Sequence, residues 1–254
     1  MKIALTIAGS DPTGGAGLQA DLKTFKAFGV YGLSVPAVLT AQNTEGVYDI
    51  YDLPPDFFSM QLNVILKDIR PDALKTGMLY STDAIKIIAE KIKDYSLKNL
   101  VVDPVTVSST GTSLIKNEAL EAIKLYLFPV SKVITPNIYE ASIFTGINIE
   151  DEDGMKRAAV MLKELGPEVV AITGGHLRDK TLDLLWDGKE ILFLKGEKVE
   201  GQFHGTGCAF SSAITACLAL GYDVKEAAVK AKEFVWEAIN SSLTIGKGLK
   251  MLNL

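Results

Sequence analysis

From end to end the chain alternates short apolar runs, rich in β-branched residues, with amphipathic stretches of helical period. That alternation restricts the fold more than any other feature of the sequence. Residues 2–8 (KIALTIA) are nearly all apolar, the pattern of a strand buried on both faces of a parallel sheet. A glycine-rich turn and a helix over 18–28 follow, then strands over 31–41 and 46–52. Pro54-Pro55 opens a helix to about residue 69, 73–75 reads as a short strand, and Ser81 as the N-cap of a helix to about 93. Strands at 99–103, 132–135 and 168–173 alternate with helices at 117–127, at 137–145 and at 151–165. The runs 181–187 and 190–195 flank Gly188 as an antiparallel hairpin, and helices over 205–220 and 224–243 complete the chain. No repeat or linker interrupts the pattern. It predicts one doubly wound α/β domain over residues 1–254, with three αβα layers and a mostly parallel central sheet bearing an antiparallel edge.

Composition removes several function classes. Acidic residues outnumber basic ones, 31 to 26, so the basic stripe of a nucleic-acid binder is missing. The longest apolar stretch, 208–222, carries Ser and Thr and falls short of the roughly 20 residues of a membrane span. The first residues lack the apolar core and cleavage site of a signal peptide. Cys208 and Cys217, nine apart on one predicted helix, would lie on opposite faces about 13 Å apart along the axis. They cannot bridge each other, which fits a reducing, cytoplasmic setting.

Ligands of open α/β sheets bind beyond the carboxyl ends of the strands. The segments there are GSDPTGGAG, KTGM, DPV, TPNIYE and TGGH, all rich in Gly, Asp, Asn or Glu. Gly205-Thr206-Gly207-Cys208 then leads into a helix, whose free amides and dipole suit a phosphoryl group. Two glycines are expected to allow a sharp turn, and the helix start to lower the thiol pKa of Cys208. Equally, small residues there serve close helix packing with Cys208 as a space-filler. GSDPTGGAG matches neither G-x-G-x-x-G nor a P-loop, and its four glycines point to backbone approaching a ligand. Asp103 and Glu140 are two carboxylates at neighbouring strand ends, able to hold Mg²⁺ directly or through water; a turn-starting Asp and an exposed helical Glu are the alternative. His204 and Cys208 are four apart, too few ligands for zinc, and the other histidine is His176. No G-x-S-x-G elbow occurs.

Taken in order, AGSDPTGGAGLQADLKTF, LTAQNTEGV, KTGM, VVDPV, TPNIYEA, TGGH and HGTGC cover nearly the whole chain. Together they resemble the hydroxymethylpyrimidine/phosphomethylpyrimidine kinase family of thiamin biosynthesis, within the ribokinase-like superfamily. The resemblance implies a ribokinase-like fold, a flap contributing to a homodimer, and ATP and Mg²⁺ as cofactors. It implies a small-molecule pyrimidine substrate, 4-amino-5-hydroxymethyl-2-methylpyrimidine, phosphorylated on its hydroxymethyl group and then on its monophosphate. The pyrimidine site it implies is Gly9, Ala16, Asp21, Gln42, Met78 and Val105. The Gln42 amide would offer donor and acceptor to the aminopyrimidine edge, and Met78 and Val105 would touch the ring. Asp103 and Glu140 would organise Mg²⁺ and the triphosphate. Asn137, Glu140, Thr173, Gly205 and Gly207 would hold ATP. Gly205, Thr206 and Gly207 would form the anion hole, and Cys208 would take the substrate's hydroxyl proton or position that hydroxyl.

Two departures stand out. The family usually has Lys where this chain has Thr173, and a Lys-Gly-Gly-like segment where it reads Ser108-Ser109-Thr110-Gly111. A lost charged hydrogen bond costs about 1–3 kcal/mol; Lys75 or Lys116 is the candidate replacement. The competing readings are a pyridoxal or pyridoxine kinase and a non-catalytic pyrimidine sensor with an eroded ATP site.

Overall fold

A computed structural model describes residues 1–108, 111–175 and 181–254. Nine strands form one sheet in the order β3-β2-β1-β4-β5-β6-β7-β8-β9. They are β1 (Ile3–Ser10), β2 (Tyr31–Asn43), β3 (Gly46–Asp52), β4 (Ala73–Thr76), β5 (Leu100–Val102), β6 (Val133–Ile134), β7 (Val169–Ile172), β8 (Thr181–Trp186) and β9 (Ile191–Gly196). From β2 through β7 neighbours run parallel, while β3, β8 and β9 pair antiparallel. Both edges are thus antiparallel, where the sequence predicted one. The 46–52 run reads as a strand, but pairing direction follows from its tight connection to β2, which periodicity does not report.

The strand residues sort alternately into two cores, as the two-residue side-chain period demands. Leu5, Ile7, Leu74, Leu100, Val102, Ile134, Val170, Ile172 and Leu184 face one layer of helices. That layer is α2 (Pro55–Asp68), α3 (Thr82–Asp94), α4 (Asn117–Ala122), α5 (Ile138–Thr145) and α6 (Glu152–Glu164). Ala4, Ala73, Val101, Val133, Ala171 and Leu185 face α1 (Gly17–Ala27), α7 (Thr206–Leu220) and α8 (Val224–Asn240). Small residues dominate this second face, so α7 packs close against the central strands. None of these helices is long and apolar enough to cross a membrane.

Three local readings change. The predicted helix 117–127 is α-helical only to Ala122; it widens into a π turn over Ile123–Leu127 and ends as a 3₁₀ turn, Phe128–Val130. Pro129 explains this, since its ring excludes α-helical bonding to the preceding turn. Ser81 does sit at the N-cap of α3, but its hydroxyl donates to Asp52 Oδ1 at 3.2 Å instead of capping the helix. The last helix stops at Asn240, because Leu243 turns away to pair with Met251.

That turn serves a second, two-stranded sheet, β10 (Phe203–His204) with β11 (Lys250–Met251). The chain's last strand therefore holds the segment leading into α7. Deleting residues 249–254 removes β11 together with the buried Met251 and Leu252. The truncated protein is expected to lose about 2 kcal/mol or more of stability and to be cleaved faster between β9 and α7. Thermal denaturation and limited proteolysis check this; unchanged cleavage there contradicts it.

Candidate active site

The strand ends open into one cleft of about 1600 Å³. A pocket for one small ligand measures roughly 300–1000 Å³, so this cleft has room for two. Two glycine-bearing loops form its rim, packed back to back. At Gly205 the backbone is left-handed (φ +85°), and a Cβ there would stand 1.8 Å from the Gly15 carbonyl oxygen. Gly15 in turn faces Met251 and His204, and a Cβ on Gly17 would stand 2.3 Å from the Gly9 carbonyl oxygen. The glycines of GSDPTGGAG thus mainly permit chain-to-chain contact rather than contact with a ligand. Of the pair before Cys208, Gly205 alone makes the turn. Gly207 leaves open space, which lines the cleft.

Helix α7 starts at Thr206 with no side-chain cap and no acidic residue in its first turn. Its amides and positive end therefore remain available to an anion in the cleft. Cys208 is half-buried there. Burial pushes its thiol up to about 12, and Lys75 and a hydrogen bond from the Gly17 amide only partly oppose this. The direction is the reverse of the lowering expected at a helix start, and a thiol held up by burial is protonated at neutral pH.

Beneath the cleft lies a buried ion network. Lys75, with no exposed surface, bonds Asp21 Oδ1 at 2.8 Å and stands 3.8 Å from Asp103 Oδ2. Asp21 also accepts from Thr6 at 2.5 Å and Ser212 at 2.6 Å, and Ser211 donates to Asp103 at 2.8 Å. Asp21 is wholly buried and sits under the floor, so it makes no wall for a pyrimidine. Lys75 is locked to it, and Lys116 pairs with Asp52 beside the Tyr80 ring. Neither can replace the cation missing at Thr173, which itself lines the cleft. Among the described residues, the lysines lining the cleft are Lys195, Lys198 and Lys232, the last held by Asp183 at 2.6 Å.

Asn137 and Glu140 form a capping box for α5. Asn137 Oδ1 accepts from the Tyr139 and Glu140 amides, and Glu140 Oε2 accepts from the Asn137 amide at 2.9 Å. Glu140 Oε1 accepts from the Thr106 amide at 3.2 Å. The glutamate is buried, not an exposed helical residue. Burial and the neighbouring Asp103 raise it to about 8, and burial raises Asp103 despite Lys75. Two carboxylates sharing a low-dielectric floor fit a divalent cation above them. Glu140's oxygens are engaged by amides, and no cluster of three ligating side chains exists among the described residues. This donor set therefore suits an ion that keeps several waters and takes its other ligands from phosphates.

Gly9, Ala16, Gln42, Met78 and Val105 line the same cleft, with Ala16 and Gln42 close to the Gly205 turn. Gln42 follows a register shift in the β2–β3 pairing, a bulge that re-aims its side chain. Of the residues proposed from sequence, all but Asp21 line this one cleft. Sequence reasoning passed over Asp11, Thr106 and Lys232 and gave His204 little weight. His176, Ser109 and Thr110 lie outside the described residues.

A sequence model of the phosphomethylpyrimidine kinase family matches residues 11–253. The chain belongs to that family. It is a phosphotransferase family, and its members include a hydroxymethylpyrimidine/phosphomethylpyrimidine kinase of Bacillus subtilis, 42% identical over 96% of this chain and 92% of the relative. A thiamine biosynthesis bifunctional protein ThiED of Geobacter sulfurreducens is 45% identical over 96% of this chain, which spans half of that longer protein. Among solved structures, pyridoxal kinase from Staphylococcus aureus in complex with AMP-PCP superposes with a TM-score of 0.92 at 37% identity, over 100% of this chain and 93% of that one. At this identity and overlap, the ribokinase-like three-layer fold is shared.

Two outcomes follow for this family member. Asp21→Asn strands the buried Lys75 charge and is expected to cost about 3–5 kcal/mol in urea unfolding. Adding Lys75→Met should restore most of that loss, and a stable single variant contradicts the pairing. Iodoacetamide should label Cys208 at pH 8 roughly a thousandfold more slowly than a free thiol of pKa about 8.5, since so little thiolate is present. Labelling at the free-thiol rate contradicts the assigned protonation.

Proposed function

We propose that the chain is an ATP-dependent kinase of 4-amino-5-hydroxymethyl-2-methylpyrimidine, phosphorylating the hydroxymethyl oxygen and then the resulting monophosphate. The observation that carries this reading is the shared cleft. Gln42, Met78 and Val105 line it together with the Gly205–Cys208 loop, Asp103 and Glu140, and its volume suits one heteroaromatic alcohol and one triphosphate. The pyrimidine edge pairs with the Gln42 carboxamide, while Met78 and Val105 pack on the ring. The substrate oxygen attacks the γ-phosphorus as the bond to ADP breaks, its proton passing late to an oxygen of the transferred phosphoryl group and on to solvent, and the amides of Thr206 and Gly207 neutralise charge on the migrating group. Phosphoryl transfer runs through a loose transition state and needs alignment more than a strong base. A protonated Cys208 thiol is therefore suited to positioning the hydroxyl. Asp103 and Glu140 would hold a hydrated Mg²⁺, which when bound neutralises charge on the phosphate oxygens. Asn137 and Thr173 would face the nucleotide.

An exposed apolar edge supports a homodimer. Tyr48 and Tyr51 on edge strand β3 and Phe57, Met60 and Val64 on α2 are all more than half exposed. The two free cysteines support a cytoplasmic setting.

A second reading has its own support, because the structural neighbours include a pyridoxal kinase complex with AMP-PCP and pyridoxal. A product assay with ATP and the hydroxymethylpyrimidine, resolving mono- from diphosphate, tests the first reading. Parallel kcat/KM values on pyridoxal test the second, and a large preference for pyridoxal overturns the first. Absence of any substrate-dependent ATP consumption favours a sensor. Within the kinase reading, Cys208→Ala is expected to lower kcat about 10- to 100-fold with little change in KM. Full turnover in that variant removes the role.

A further inference from the structure

One short segment ties together two parts of the cleft wall. The first is the hairpin tip that carries Gln42. From Thr40 onward β2 pairs with β3 alone, and β3 is the edge of the sheet. Gln42 pairs with Val47 and Asn43 with Gly46, and Thr44 and Glu45 make the turn between them. Asn43 Oδ1 accepts from the Glu45 and Gly46 amides at 2.8 and 3.2 Å, which makes the tip one rigid piece. The second part is the entry to the Gly205–Cys208 loop. Asp11 accepts from the Thr13 and Ala16 amides, and its Oδ2 lies 2.7 Å from His204 Nε2. Gly205 rests on Gly15. The two parts meet where the Gln42 carboxamide comes within 3.3 Å of His204.

Residues 243–251 form a strap that holds both. Met251 pairs with His204 in the β10–β11 sheet and exchanges backbone bonds with Leu243 at 2.8 and 2.9 Å. Just before it, the Leu249 amide donates to the Thr44 carbonyl at 2.9 Å, and the Gly248 amide to Thr44 Oγ1 at 3.1 Å. From Leu249 to Met251 is two residues, about 7 Å of extended chain. That length fixes how far the hairpin tip stands from the loop entry. Two exposed glycines permit the contact. A Cβ on Gly248 would overlap the Thr44 carbonyl, and one on Gly246 would overlap the Thr44 side chain. Being exposed, neither serves core packing. The loop entry has further anchors in Asp11 and Gly15, whereas the tip extends past the end of β1. A strap that fits badly therefore displaces the tip and leaves the loop in place.

We infer that Gly246, Gly248 and Leu249 are positioning residues: through Thr44 they set the place of Gln42 relative to the Gly205–Cys208 loop, and so the spacing between the ring-binding and phosphate-binding walls. This rests on the pyrimidine-kinase reading above. The strap touches neither substrate in this role; it acts through the hairpin, at a site 202 residues away from Gly246 in sequence.

The test compares steady-state kinetics with ATP and the hydroxymethylpyrimidine in wild type, Gly246→Ala, Gly248→Ala, Thr44→Gly and the two double variants with Thr44→Gly. Gly246→Ala and Gly248→Ala are each expected to lower kcat/KM for the pyrimidine about 10- to 100-fold, as a misplacement of about 1 Å does. The KM for ATP should stay within about twofold, since the loop entry keeps its own anchors. Thr44→Gly removes the side chain that the Gly246→Ala methyl strikes but keeps the carbonyl that the Gly248→Ala methyl strikes. Relative to Thr44→Gly alone, Gly246→Ala should then cost little, and Gly248→Ala as much as before. A merely structural strap would lower the thermal midpoint and worsen both KM values in step. Should Gly248→Ala fail to fold, the cycle between Thr44 and Gly246 decides alone. Single variants with wild-type kcat/KM, an equal rise in both KM values, or no rescue of Gly246→Ala by Thr44→Gly overturn the inference. A wild type that consumes no ATP with the pyrimidine overturns the kinase reading first and this inference with it.

Discussion

The buried pair of Lys75 and Asp21 is the interaction on which the cleft depends. Lys75 comes from β4 and Asp21 from α1; Thr6 of β1 and Ser212 of α7 complete the shell of Asp21. Four elements meet at one wholly buried carboxylate, where a misplaced partner leaves a charge uncompensated. Such a node has few alternative arrangements, so it fixes the register of α7 against the sheet. The Gly205–Cys208 loop is the start of that same helix. The position of that loop is thus set from below, by hydrogen bonds from Ser211 and Ser212 a turn further into α7, as well as by the glycine contacts at the rim.

The fold was largely legible because both cores announce themselves in the strands. Runs such as KIALTIA and NLVVD are apolar on both faces over most of their length, which a sheet covered on both faces requires. The readable part of the site came from position rather than motif: residues just after apolar strands, Asp103, Asn137, Glu140 and Thr173, all reach the cleft. β10 and β11 escaped notice because two-residue strands have no periodicity to detect. Asp21 was misplaced because a helix near a glycine-rich loop gives no sign of which face lies beneath the cleft; its wholly buried partner Lys75 is 54 residues away. A signal for Asp11 and His204 did exist. Both sit inside segments singled out for their glycines, and those glycines drew the attention.

The same bias explains why the glycine-rich loop was read as a ligand cradle. Glycine marks close approach without saying what approaches. Here Gly17 faces the Gly9 carbonyl, Gly205 faces that of Gly15, and only Gly207 opens onto the cleft. For Cys208 two effects compete, and sequence shows one of them. The helix start is visible in GTGC, whereas the burial that pushes the thiol up, and the nearby Asp103 and Asp21 that add to it, come from residues distant in sequence.

Charge completes the account. The floor sets Lys75 against Asp21 and Asp103, while burial raises Asp103 and holds Glu140 up at about 8, so at neutral pH it offers a triphosphate no net positive charge. Attraction must come from elsewhere. The uncapped start of α7 supplies partial positive charge at the transfer end. Lys195, Lys198 and Lys232 supply it along the cleft wall. On the kinase reading proposed above, threonine at 173 would leave the phosphates to the backbone amides at the start of α7 and to a cation gathered by Asp103 and Glu140. Such a cation would favour the charged form of both carboxylates, so a divalent ion and its phosphates would bind together more tightly than either one alone.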